Sequence, residues 1–190
     1  MGFLDALLGK RKVAKVAPDR LFAITTASVA LESAQDIKHR GAAAVVFQPL
    51  ATGDFQQIAS DVEELVRSTG AETGTTVETS SDAFGYRWFV LRDDDIEDLA
   101  VGVNAVNDAL AVGGYSDRIL CALFAFEDAA KARIYFVYNY KRGSWYPFVP
   151  AGGAQQRSNE RELQLKAQLT GELPFEAELE RWFPLWGTPI

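Results

Sequence analysis

Apolar residues recur along the 190-residue chain at two spacings, which predict two kinds of element. Apolar side chains three and four residues apart predict helices with one inward face, and short apolar runs predict buried strands. Helices are expected in part of 18–41, from Asp54 to about Ser68, within 93–114, and from Ser158 or Asn159 to about Thr170. Glycine or proline follows each of the last three, as is typical of helix ends.

Strands are expected in the apolar run 42–50 and in two hairpins. The first hairpin spans 75–94 with a polar turn around Asp82 and Gly85, and the second spans 118–140 with a turn near 127–132. This order predicts an α+β fold, in which helices pack on an antiparallel sheet of two hairpins and one further strand. Nine side chains are expected in one shared core: Phe89, Leu91, Leu99, Val106, Leu120, Leu123, Ile134, Phe136 and Leu165.

The first sixteen residues differ from the rest, and we expect 1–16 to be an amphipathic segment with a basic linker and 17–190 to be a single domain. Four apolar side chains at helical spacing precede three cations: Phe3, Leu4, Leu7, Leu8, Lys10, Arg11 and Lys12. A helix this short is only marginally stable by itself in water, so its apolar stripe must pack against another apolar or lipid surface. That surface is either a partner or an anionic membrane, or the apolar face of the same chain.

Charge is distributed unevenly along a chain whose formal net charge is −7. Residues 1–40 carry seven basic and four acidic groups, whereas residues 51–110 carry three basic and thirteen acidic groups. Because nucleic-acid binding depends on basic charge, the acidic middle argues against it. The opening residues also lack the order of a signal peptide, so a cytoplasmic protein is expected.

Few residues offer catalytic or metal-binding chemistry. Cys121 and His39 are the only residues of their types, which excludes an intramolecular disulfide and a Cys/His zinc site. Cys121 is predicted to be a buried thiol and His39 a solvated side chain at a turn. The acidic run 92–98 is expected to cap a helix rather than to hold a cation. We therefore expect no catalytic residue, no metal, no cofactor and no enzyme activity.

The segment 138–150, YNYKRGSWYPFVP, is the densest aromatic cluster. It loosely follows the RNA-binding signature of an RRM strand, but Ser144 replaces an aromatic residue and Pro147 removes a ladder donor. A hairpin end that covers the core is favoured, with Trp145 or Tyr146 left for a partner. Two tryptophans of the C-terminal segment are further candidate contacts: Trp182 and Trp186.

Three blocks in this order resemble one family: MGFLDALLGK, VYNYKRGSWYPFVP and GELPFEAELERWFPLWG. The chain resembles the PspA-associated protein PspAB of actinobacteria and some archaea, a companion of the phage shock protein PspA. The resemblance implies a non-catalytic accessory protein in the envelope stress response. Its partner would be a PspA-like coiled-coil protein at the inner membrane face, with peripheral contact to anionic membrane. It brings no catalytic motif.

Two other classes of function stay open at this level. A protein-binding module of the secretion-chaperone type fits two hairpins between helices, by analogy of fold alone. An enzyme of unknown reaction has the least support, because no base and nucleophile pair can be assembled from the residues present.

Overall fold

A six-stranded sheet is the centre of the computed structural model, which describes residues 19–48, 53–153 and 155–190. In chain order the strands are β1 (Lys38–Phe47), β2 (Thr76–Ser81), β3 (Arg87–Arg92), β4 (Ile119–Glu127), β5 (Arg133–Asn139) and β6 (Ser144–Phe148). They lie side by side in the order β2-β3-β1-β4-β5-β6, and each neighbouring pair is antiparallel. The second half of β1, residues 42–47, is a continuous run of apolar residues that are buried on both faces of the sheet.

Helices cover one face of this sheet. Within the described ranges the α-helices are α1 (Asp19–Gln35), α2 (Gly53–Thr73), α3 (Ile96–Val112) and α4 (Asn159–Gln168). All four contribute buried apolar side chains to the same core cluster as the sheet. The predicted α+β fold with an antiparallel sheet and packed helices is confirmed.

Both predicted hairpins are confirmed, since β2 pairs with β3 and β4 pairs with β5. The structure adds β6, a strand that the sequence pattern did not predict because it contains Pro147. Proline is tolerated there because β6 lies at the edge of the sheet and pairs with β5 alone among the strands. An additional two-residue pair, Pro150–Ala151 with Gln156–Arg157, follows it.

Two boundaries differ from the sequence prediction. Strand β1 begins at Lys38, so His39 is wrongly predicted at a turn: it lies in the strand, half-buried, with its ring 6.5 Å from that of Phe126. Helix α2 continues to Thr73 instead of ending near Ser68. It passes through Gly70, where a Cβ atom would lie 2.4 Å from the carbonyl oxygen of Thr75.

The predicted single core is wrong in one respect, because the sheet separates two buried clusters. Seven of the nine predicted core residues lie on the helix side. Leu123 belongs to the cluster on the opposite face, and Leu120 packs against that cluster while half-buried. Strand β4 is apolar on both faces, so alternation alone did not reveal which of its residues face the helices.

The candidate residues of the N-terminal segment, Phe3 to Lys12, lie outside the described residues. Their predicted contacts with a partner or a membrane therefore stay predictions. Among the helices that the structure describes, none has the length and hydrophobicity needed to cross a membrane.

Candidate docking groove

A groove of about 480 Å³ lies on the sheet face opposite the helices. Its floor comes from the sheet, one wall from the turn between β2 and β3, and the other wall from residues 183–186. We call this the docking groove. The residues that line it are mostly apolar: Val46, Asp82, Phe84, Tyr86, Trp88, Leu120, Cys121, Asn139, Lys141, Tyr146, Phe183, Pro184, Leu185 and Trp186.

A β-bulge shapes the floor. Val46 pairs with Cys121 and Phe47 with Ile119, so Leu120 is an extra residue in β4. In a regular strand, successive side chains point to opposite faces. The bulge interrupts this alternation, and Leu120 and Cys121 both line the groove while Ile119 packs on the helix side.

Asp82 organises the turn that forms the first wall. Its carboxylate accepts hydrogen bonds from the backbone amides of Phe84 (2.8 Å) and Tyr86 (3.0 Å), and from the indole Nε1 of Trp88 (3.0 Å). Gly85 completes the turn at a φ of 84°, which glycine adopts without strain. One acidic side chain thus fixes both the turn and the orientation of an indole in the groove.

The C-terminal segment forms the second wall because its side chains and carbonyls are anchored to the sheet. The Tyr146 hydroxyl donates to the Phe183 carbonyl (3.1 Å), and the Trp182 ring stacks on Tyr146 at 6.2 Å between centroids. Trp186 packs edge-on against Phe148 at 5.0 Å. Further along, the Tyr135 hydroxyl donates to the Ile190 carbonyl (2.7 Å).

A buried ion pair connects α4 to this wall. Glu162, only 1% exposed, accepts from the Arg157 side chain at 2.7 to 3.0 Å and from the Val149 amide at 2.8 Å. Arg157 also donates to the Trp182 carbonyl (2.6 Å). Buried charges need such partners, so this pair holds the start of the wall in a fixed place.

The two aromatic side chains at the rim are unusually exposed. Phe84 is 63% exposed on the first wall, and Phe183 is 60% exposed on the second. Exposed apolar side chains scattered singly are ordinary, but here two phenyl rings flank an apolar groove. Apolar grooves with exposed aromatic side chains at their rim are typical of surfaces that bind an apolar segment or ligand.

The groove offers little chemistry for catalysis. Burial raises the pKa of Cys121 to about 12, so its thiol is protonated at neutral pH and is a poor nucleophile. Burial, as the largest cause, also raises the pKa of Tyr146 well above its ordinary value. The Asp82 carboxylate already accepts three hydrogen bonds within its own turn.

The acidic run caps α3, as predicted. Asp95 is the N-cap, and its carboxylate accepts from the Glu97 amide (2.7 Å). Asp93 accepts from the Thr75 hydroxyl (2.6 Å) and from the Asp95 amide (2.8 Å). Over the ranges that the structure describes, no three His, Cys, Asp or Glu side chains form a set that could hold a metal ion.

The structure brings together only some of the residues predicted to contact a partner. Tyr146 and Trp186 line the docking groove, and Trp182 lies behind its second wall, 5% exposed. Trp145 is fully buried on the helix side, where its indole donates to the Arg20 carbonyl (2.8 Å), and this core position does not favour a partner contact. Sequence analysis missed Phe84, Phe183 and Leu120, although an aromatic residue in a polar hairpin turn was a visible signal for Phe84.

Comparison with known proteins identifies the family of the chain. The family model PspAB, described as PspA associated protein B, matches residues 1–190. The chain matches no curated protein and no solved structure.

Proposed function

Since the chain belongs to the PspA associated protein B family, we propose that it is a non-catalytic accessory protein that binds PspA in the envelope stress response. The family description supports an accessory role linked to PspA. In this proposal PspA is a coiled-coil protein at the inner face of the membrane, and the protein works beside it in the cytoplasm.

The observation that carries the proposal is the docking groove with its exposed rim. An amphipathic helix inserts apolar side chains into a groove of this kind, and its charged face stays in water. Helices of coiled-coil proteins carry such an apolar stripe at positions a and d. The partner we propose for the groove is therefore a helix of PspA, anchored between Phe84 and Phe183.

Absence of catalysis is part of the same proposal. It is supported by the protonated Cys121 thiol and by the hydrogen bonds that occupy Asp82 within the turn. The remaining polar groove residues, Asn139 and Lys141, lie at one end of it beside the turn after β5.

Affinity for purified PspA tests the role of the groove. We expect Phe84→Asp and Phe183→Asp each to weaken binding about 10-fold or more, because truncating an aromatic anchor at an interface costs about 2 kcal/mol or more. Val112→Asp is the matched control, since Val112 is 90% exposed and lies on α3, on the other side of the sheet.

Isothermal titration calorimetry measures these affinities, and thermal melting checks that each variant is folded. If the two groove variants bind PspA as tightly as the control does, the groove is not the contact surface. If wild-type protein does not bind PspA at all, the proposed function is wrong.

A further inference from the structure

We propose that the N-terminal segment, residues 2–12 of the same chain, docks its apolar stripe in the groove when the protein is free and leaves it when PspA binds. The first part rests on the groove and the chain path alone. The second part, the competition, rests on the proposed function.

The described chain starts on the helix side of the sheet, next to the turn between β5 and β6. Helix α1 begins at Asp19, and the next residue, Arg20, contacts the strand pair β5 and β6 at two points. Its carbonyl accepts from the Trp145 indole (2.8 Å), and its guanidinium donates to the Gly143 carbonyl (3.3 Å). The same turn between β5 and β6 supplies Asn139 and Lys141 to the groove lining.

The chain before α1 is long enough to pass around the end of the sheet towards the groove. Ten residues lie between Leu8 and Asp19, and the eleven residue-to-residue steps span up to roughly 36 Å when extended. To reach the groove, the segment must pass from the helix side around the end of the sheet at the turn between β5 and β6, next to which Asn139 and Lys141 line the groove.

The chemistry of the segment matches the groove. Its stripe presents Phe3, Leu4, Leu7 and Leu8, and the groove is lined mainly by aromatic and aliphatic side chains. Removing that stripe from water contributes on the order of 25 cal/mol for each Å² of apolar surface buried.

Because the N-terminal segment belongs to the same chain as the groove, it is favoured over an apolar segment of a separate molecule. A site and its ligand joined by a short linker meet at an effective concentration on the order of mM. A PspA helix must therefore displace the segment, and its apparent affinity equals the intrinsic affinity multiplied by the fraction of protein whose groove is open. The basic run 10–12 follows the stripe, and in this proposal its charged side chains stay outside the apolar groove.

Photo-crosslinking in the full-length protein tests the docking. With Leu7→p-benzoylphenylalanine, we expect intramolecular crosslinks to peptides that contain residues 82–88 or 183–186. Their yield should not depend on protein concentration, and Phe84→Asp combined with Phe183→Asp should lower it several-fold. Ser33→p-benzoylphenylalanine, on an exposed part of α1, is the control and should give no crosslink to these peptides.

Three results would overturn the docking: crosslinks that map only to other surfaces, crosslinks between molecules that increase with concentration, and no crosslink at all. A membrane role is tested with vesicles containing phosphatidylglycerol. If the full-length protein sediments with them at low salt, loses this on deletion of residues 2–12, and shows no groove crosslink, the segment binds membrane instead.

PspA affinity of the deletion variant tests the competition separately. Deleting residues 2–12 should raise the apparent affinity roughly 10-fold if the groove is open in about a tenth of the free protein. An unchanged or lower affinity contradicts the competition. If groove crosslinks form but PspA binds neither version, the docking stands and the proposed function fails.

Discussion

Cys121 lies in the floor of the docking groove, where its side chain is only 6% exposed. Its surroundings are apolar, and burial is the cause that raises its pKa to about 12. The thiolate is the reactive form, and at neutral pH the Cys121 side chain packs in the groove floor as a protonated thiol.

Thiol labelling should show that the buried Cys121 thiol reacts slowly. At pH 8 the folded protein should react with Ellman's reagent at least about 100-fold more slowly than the same chain in urea, because the raised pKa lowers the thiolate fraction in the folded state. A rate equal to that of the unfolded chain would mean that the thiol is open to solvent and ionises normally.

The raised pKa of Cys121 also predicts that the stability of the protein depends on pH. Because the folded pKa lies above the ordinary value of 9.0, the folded state holds the proton more tightly. The contribution of the protonated Cys121 thiol to the free energy of unfolding is fully present below pH 9. It is lost as the pH rises towards 12. Urea unfolding of wild type and Cys121→Ala between pH 8 and 10 should therefore show a steeper decline for wild type.

At the scale of elements, the turn between β2 and β3 depends on one side chain. Asp82 accepts three hydrogen bonds, including that of the Trp88 indole. Short polar side chains are favoured in turns because they bind backbone amides in this way.

Asp82→Ala should lower the free energy of unfolding by about 1–3 kcal/mol, since it leaves a largely buried indole N–H without its acceptor. The variant should also bind PspA more weakly, because Trp88 and Phe84 lose their fixed positions in the groove. Ser81→Ala, at the exposed neighbouring position, is the control. Urea unfolding gives the stability, and unchanged stability would show that the turn does not depend on this carboxylate.

The elements that sequence analysis predicted correctly are those fixed by local pattern. Helix α3 has apolar residues at helical spacing, Asp95 before it and Gly113 after it. Each of the two hairpins has a polar turn, and the strands of the second form two short apolar runs on either side of it. By contrast, β6 contains Pro147, and only its place at the sheet edge makes that residue acceptable.

For the whole molecule, the docking groove could not be predicted because it depends on contacts between distant parts of the chain. Its second wall is fixed by pairs such as Tyr146 with Phe183 and Tyr135 with Ile190. Its floor depends on a bulge that shifts Leu120 to the groove side. Composition and spacing indicated aromatic candidates, yet only the fold separates the buried Trp145 from the groove-lining Trp186.

The central claim is that PspA contacts the sheet face that carries the groove rather than the helix face. Photo-crosslinking from the groove rim to purified PspA tests it most directly, with p-benzoylphenylalanine placed in turn at Phe84, Phe183 and Val112. We predict crosslinks to PspA from the first two positions and none from Val112 on α3. Crosslinks from Val112 without any from Phe84 and Phe183 would contradict the account and place the contact on the helices.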